Sequence, residues 1–170
     1  MPERVYRHAT AQDAGRIADR LTDSWGETRA VGHGVVYDLT ALPALLAESD
    51  GELVGVLTYQ IDGDDFQIVS IDATNRQQGV GTGLIDAATA RAAGCRRIWL
   101  TTTNDNLDAL RFYQRRGFRL VALRPDAVRL SRRLKPSIPE IGAYGIAIRD
   151  ELDLELPLSG GVRPEYGDHA

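Results

Sequence analysis

The sequence predicts an α/β fold: a mixed, mostly antiparallel central sheet with one parallel pair, flanked by helices. Three observations lead there. Two apolar runs, Leu42 to Ala47 and Leu53 to Ile61, are separated by Glu48-Ser49-Asp50-Gly51-Glu52, whose Asp-Gly step is a strong hairpin signal. A second turn, Asp62-Gly63-Asp64-Asp65, returns the chain into a third run beginning near Phe66, which completes an antiparallel meander. That run enters a glycine-rich turn and a helix, Gly79 to Ala93, before the apolar segment Arg97 to Thr102. A helical crossover of this length sets the strands it joins parallel.

Composition bounds the rest. At 170 residues, 43% apolar and 26% charged, the chain fits one domain with a sizeable core, assigned to 1–158, with 159–170 as a flexible, glycine-containing tail. A formal charge of -4 leaves no global basic footprint for nucleic acid, and no apolar run approaches the roughly 20 residues that span a bilayer. Cys95 is the only cysteine, so no intrachain disulfide forms, and Met1-Pro2-Glu3-Arg4 lacks the apolar segment of a signal peptide. The expected location is cytoplasmic. His8, His33 and His169 are scattered without metal-ligand spacing, so no metal is expected.

Taken in order, Arg4 to His8 reads as a first strand, and Thr10-Ala11-Gln12-Asp13 as a helix start with an acid three residues on. Ala14, Ile17, Ala18 and Leu21 recur at helical spacing and place one face on the core. Periodicity is lost from Ser24 to Asp38, which reads as loop or short helix; Trp25 and Tyr37 either line a pocket or cap the core, and His33 reads as a surface residue. The helix after Gly79 is rich in small residues (Ala87, Ala88, Ala90, Ala92, Ala93) that permit close packing on the sheet, and Gly94 suits the position beyond its end. Asn106 caps a further helix in which Ala109, Phe112, Tyr113 and Arg116 share a face, and Gly117 ends it before a strand from Phe118 to Leu123. Arg124 to Glu151 is a long connection with a possible helix from Asp126 to Arg133; Arg129, Arg132, Arg133 and Lys135 are either an anion-binding group or a solvated face. The final strand alternates Leu152, Leu154, Leu156 and Leu158 with Asp153, Glu155 and Pro157, one face buried and the other acidic.

The chemistry gathers where strand meets glycine turn. Ile68, Val69 and Ile71 lead through Asp72-Ala73-Thr74-Asn75 into Arg76-Gln77-Gln78-Gly79-Val80-Gly81-Thr82-Gly83. The first N–H groups of a helix lack intrahelical partners and, with the helix dipole, form an anion site, which glycines let a phosphate approach closely. The spacing Gly79-x-Gly81-x-Gly83 misses the dinucleotide fingerprint by one position, and the Gly-Lys-Ser/Thr of nucleotide-triphosphate loops is absent. A Rossmann oxidoreductase also fits poorly because this turn follows an antiparallel meander.

Arg76-x-x-Gly79-x-Gly81 after a strand, followed by Asn106-x-x-Ala109-x-x-x-Tyr113-x-x-x-Gly117-Phe118, resembles the GNAT superfamily of acetyl-CoA-dependent N-acetyltransferases. The resemblance covers Val5 to Leu158 and is strongest over 66–120. It implies that the parallel pair splays apart and that the acetyl group moves from acetyl-CoA to an amine by direct attack through a tetrahedral intermediate. It further implies that Arg76, Gln77, Gln78, Gly79, Val80, Gly81 and Thr82 bind the pyrophosphate, the side chains mattering less than the backbone. Ile71 and Ala73 would pair with the pantetheine arm, a main-chain N–H near Ile71 or Asp72 would polarise the thioester carbonyl, and Asn106 would bond the cofactor. Tyr113 matches the tyrosine that protonates the departing thiolate.

A primary amine is mostly protonated at neutral pH, so the reaction needs a proton acceptor; Asp65, Asp72, Glu151 or a water chain are the candidates, and Gln67 stands where relatives often carry an acid. Cys95, with no histidine near it in sequence, reads as structural. The partners expected are acetyl-CoA and an unidentified amine, with no nucleic acid and no membrane; the resemblance adds a homodimer with the last strands as contact. The alternative on the same fold is a non-catalytic acyl-CoA sensor.

Overall fold

The computed structural model describes residues 3–74 and 78–159. In chain order its elements are β1 (Arg4–His8), α1 (Ala14–Trp25), β2 (Arg29–Gly32), β3 (Val35–Asp38), β4 (Ala44–Ser49), β5 (Glu52–Asp62), β6 (Asp65–Ala73), α2 (Val80–Arg91), β7 (Arg97–Thr103), α3 (Leu107–Gln114), β8 (Arg119–Arg124), α4 (Val128–Leu134) and β9 (Glu151–Pro157). Seven strands form one sheet in the order β1-β4-β5-β6-β7-β9-β8, while β2 and β3 form a separate hairpin. Every neighbouring pair is antiparallel except β6 with β7. The mixed α/β architecture is therefore the one the sequence predicts.

Local chemistry explains the elements. Asp50 and Gly51 both take positive φ (51° and 82°), the turn whose twist matches the flanking strands. Thr10 and Asp13 form a capping box ahead of α1, and Arg7 reaches from β1 to Asp13 at 2.8 Å and to Glu48 of β4 at 2.9 Å. This ties the first strand, the first helix and the meander at one corner.

Each side of the sheet has its own apolar core. On one, Leu57, Phe66, Ile68, Ile98, Leu100 and Leu154 pack under α2 and α3. Gly55 lets α2 settle there, since a Cβ at that position would lie 2.7 Å from Val80 and 2.9 Å from Leu84. On the other, Leu46 and Val56 are covered by Ile17 and Leu21 of α1 and by Leu39. Each fully buried leucine contributes about 1.5–3 kcal/mol of transfer free energy.

Two expectations need correction. Residues 24–38 are not a loop or short helix: after α1 the chain forms the β2–β3 hairpin, turning at His33 and Gly34 with φ of 52° and 72°. Its strands are four residues each, too short to show a period, and its turn uses His-Gly instead of Asn-Gly. The last strand, expected to have one buried face and one acidic face, does not leave its acids open. It inserts between β7 and β8, and its acidic residues are covered: Glu151 is buried, and Glu151, Asp153 and Glu155 bind Arg124, Arg124 and Arg97. The long connection supplies α4, which packs on β2, and Lys135 bonds the Arg29 carbonyl and pairs with Glu27. Among the described residues, no helix is long and apolar enough to cross a membrane, and no three metal-ligating side chains come together.

Candidate active site

The parallel seam between β6 and β7 is paired only at Asp65↔Arg97, Phe66↔Ile98 and Gln67↔Trp99. Beyond Gln67 the strands part. The β5–β6 register jumps there from Tyr59↔Ile68 to Thr58↔Ser70, leaving Val69 as an extra residue in β6. Such a bulge bends and twists its strand, which turns β6 away from β7. The closed end is clamped: Asp65 accepts from Arg96 at 2.6 and 3.1 Å and from Arg97 at 2.8 Å. Burial alone would raise the Asp65 pKa, but hydrogen bonds from Arg97 and Arg96 hold it below the usual carboxylate value. Asp65, a sequence candidate for the base, thus lies at the paired end with its oxygens engaged.

At the open end the main chain carries groups without a partner among the described residues. The Thr74 N–H donates to the Val54 carbonyl at 2.9 Å, and in an antiparallel ladder the bonding direction alternates. Ser70, Asp72 and Thr74 therefore turn toward β5, whereas Ile71 and Ala73 turn their N–H and C=O groups into the gap. On the opposite bank the Asn104 N–H donates to the Asp150 carbonyl at 3.1 Å, so by the same parity Thr101 and Thr103 face the gap. The two threonines were not singled out from sequence, because which main-chain groups are free depends on register.

Helix α2 starts beside this gap. Gly79 caps it with φ 79°, a conformation costly for other residues, and Gln78 and Gly79 are exposed, Gly81 and Thr82 half-buried and Val80 buried. The Arg4 guanidinium donates to the Gln78 carbonyl. Gly81 has a second reason to be small, since a Cβ there would meet the Phe112 ring at 3.0 Å. Arg116 donates to the Thr82 hydroxyl and stacks 3.6 Å over Phe112; burial lowers its pKa, and it has no ion-pair partner among the described residues. Arg76 and Gln77 lie outside the described residues.

Tyr113 is 4% exposed, edge-on to Phe112 and Phe118 at 5.1 and 5.2 Å. Its hydroxyl has no hydrogen-bond partner among the described residues, and burial pushes its pKa well above the ordinary phenol value. Asn106 is the α3 cap: its Oδ1 accepts from the Ala109 N–H at 3.4 Å and its Nδ2 donates to Thr102 Oγ1 at 3.0 Å. One amide hydrogen is left over.

The opposite face of the sheet is polar where the seam opens. Gln60 donates to Gln67 at 2.6 Å, and Gln67 to the Tyr37 hydroxyl at 3.4 Å, while Tyr37 also packs on the α1-side core. Trp25 is 40% exposed at the end of α1. Asp72 accepts from Ser24 at 3.0 Å, and Arg20 Nε lies 2.7 Å from its Oδ2, close enough for an ion pair but off-line for a hydrogen bond. Glu151 accepts from Ser131 (2.7 Å), Arg124 (3.0 Å) and the His33 main chain (3.2 Å). Both carboxylates are thus structural ties as they stand. His33, expected as a bare surface residue, has its Nε2 2.9 Å from Asp153 and its ring 5.3 Å from Trp99. Cys95 is half-buried against the α2-side core. Arg129, Arg132 and Arg133 line an open cavity of about 480 Å³ with Arg149, Asp126 and Glu140, between α4 and 147–149.

The comparisons with known proteins agree with this architecture. A model of the acetyltransferase (GNAT) family matches residues 16–118. YdhI of Bacillus subtilis, an uncharacterized protein, is 40% identical over 139 residues, covering 80% of this chain and 87% of its own. Among solved structures, a Bacillus subtilis acetyltransferase in complex with CoA superposes with a TM-score of 0.63 at 22% identity, over 93% of this chain and 99% of its own. A GNAT family acetyltransferase from Elizabethkingia anophelis with acetyl-CoA bound gives 0.65 at 23% identity, over 91% and 98%.

Proposed function

The chain belongs to the GNAT family of acetyltransferases, and from that premise we propose that it transfers the acetyl group of acetyl-CoA to an amine of a small molecule or a protein. The observation that carries this is the seam that closes at Gln67 and Trp99 and opens toward the start of α2. The gap fits an extended donor chain because its β6 edge offers unpaired main-chain groups, and it fits a phosphate because exposed glycine backbone and a helix N-terminus stand at its mouth.

In this reading the N–H groups of Gln78, Gly79, Val80, Gly81 and Thr82 hold the pyrophosphate, and Arg76 and Gln77, which precede them in sequence, are proposed as further ligands. Ile71 and Ala73 pair with the pantetheine arm as an added strand would. The Ile71 N–H, and not that of Asp72, meets charge developing on the thioester carbonyl, since Asp72 turns toward β5. Tyr113 protonates the leaving thiolate; a phenol is protonated at neutral pH, as an acid must be, and its hydroxyl, without a partner among the described residues, is available to donate. Asn106 contributes its remaining amide hydrogen, a smaller role than its capping.

The test is calorimetric titration with acetyl-CoA and separately with NADH, followed by thiol release across a panel of amines. Acetyl-CoA binding with amine-dependent thiol release is expected. Binding without release on any amine would favour the sensor alternative, and absence of acetyl-CoA binding would remove the reading.

A further inference from the structure

We propose that His33, oriented by Asp153, accepts the proton of the acceptor ammonium; the proposal rests on the acetyl-transfer reading above. An alkylammonium has no lone pair for attack until it loses a proton, so a group at the open seam must take one. The carboxylates there are taken up by donors: Asp72 by Arg20 and Ser24, and Glu151 by Arg124, Ser131 and the His33 main chain.

His33 stands where the strands begin to part. It occupies the first turn position of the β2–β3 hairpin with φ 52°, an uncommon backbone for a residue other than glycine. The tip is held down by its main-chain bond to Glu151 and by its ring, which rests edge-on against Trp99, the β7 residue of the last parallel pair. About a third of the side chain, 33%, stays open to solvent and so to an acceptor.

The tautomer follows from the neighbours. Asp153 accepts from Thr101 at 2.7 Å and from Arg124 at 2.5 and 3.0 Å, besides its 2.9 Å contact with His33 Nε2. A carboxylate so supplied with donors is an anion, and it calls for a proton on Nε2. The Nδ1 lone pair is then free to act as a base, the arrangement in which a third group orients the base. The charged groups around the ring are Asp153 and Glu151 of β9, Arg124 of β8, and Arg97 of β7 lying over Trp99 at 5.5 Å. From α4, the uncharged Leu130 lies beside Gly34 at the tip, and Ser131 bonds Glu151.

The step balances without a further reactant. His33 Nδ1 takes one proton from the ammonium, and the freed nitrogen lone pair forms the C–N bond to the thioester carbon. The C–S bond breaks and the thiolate takes the Tyr113 proton. The surplus proton on the new amide nitrogen returns to Tyr113, and the His33 proton leaves to solvent. Acetyl-CoA and an ammonium thereby give an amide, CoA thiol and one proton.

Two measurements test it. In long-range proton–nitrogen spectra of labelled protein, with His33 identified by its loss in His33→Gln, a neutral ring protonated on Nε2 is expected. A doubly protonated ring at assay pH would overturn the proposal. In thiol-release kinetics with benzylamine and putrescine, His33→Gln should lower kcat/KM by about 100-fold or more and flatten its acid limb, with acetyl-CoA affinity unchanged. With methoxyamine, already neutral at assay pH, the same variant should lose little. Equal loss on all three amines, or no loss on any, would overturn it. If the wild-type protein turns over none of them, the failure belongs to the acetyl-transfer reading or its probes, and the state of the ring alone decides for or against His33.

Discussion

The two ends of the β6–β7 seam are built from the same two strands and behave as different objects. At the closed end, Phe66 and Ile98 lie fully buried and Asp65 is gripped by two arginines. One bulge later the same strands carry free main-chain groups, and β6 leads on to the start of α2. Rigidity at the first end is what allows exposed hydrogen-bonding groups at the second, since an open sheet edge keeps its spacing only when something nearby fixes the strands. The seam divides into a part that is held and a part that is left open.

That division can be broken or sharpened by substitution. The largest effect is expected from Tyr113→Phe, the proposed acid, with kcat falling by about 100- to 10,000-fold and acetyl-CoA affinity measured by calorimetry nearly unchanged. An unchanged rate would return Tyr113 to a packing role. At the closed end, Phe66 is fully buried and stacked 4.6 Å from Tyr59, so Phe66→Ala should cost about 3–5 kcal/mol in denaturant unfolding. Its folded fraction should still bind acetyl-CoA.

Asp65→Asn should cost about 1–2 kcal/mol, between an exposed and a buried ion pair, again without a specific loss of binding. This pair also sets a pH dependence. Asp13, Asp65 and Asp153 have folded pKa values below the ordinary carboxylate value of about 3.9. The unfolded chain therefore binds protons first as pH falls, so their contribution is complete above about pH 4 and is lost below it. Urea midpoints should drop through that range, less steeply for Asp65→Asn than for the wild-type protein. The smallest effect is expected from Gly79→Ala, where φ 79° costs a residue with a Cβ roughly 1 kcal/mol; acetyl-CoA affinity should fall more than the melting temperature.

Much of the fold was legible because local chemistry and tertiary structure agreed. Asp50-Gly51 announced its hairpin, Thr10 and Asp13 their helix start, Asn106 its cap, and the alternating leucines of β9 their strand. The hairpin at 29–38 was hidden because two four-residue strands show no period and His33 is an unusual residue for a turn with positive φ. His33 was undervalued for a related reason: its partner Asp153 is 120 residues away, and no spacing rule reaches so far.

The sequence by itself determined the class of fold, the glycine turn and the tyrosine-bearing helix, since each rests on bonds between residues a few positions apart. Only the tertiary structure decided that β9 enters between β7 and β8, and that the seam opens after Gln67. It likewise decided that Asp65 and Glu151 are held by arginines while His33 keeps an open ring face. Register, strand order and ion pairing are relations between distant segments, set by which arrangement buries the most apolar surface while leaving every buried charge a partner.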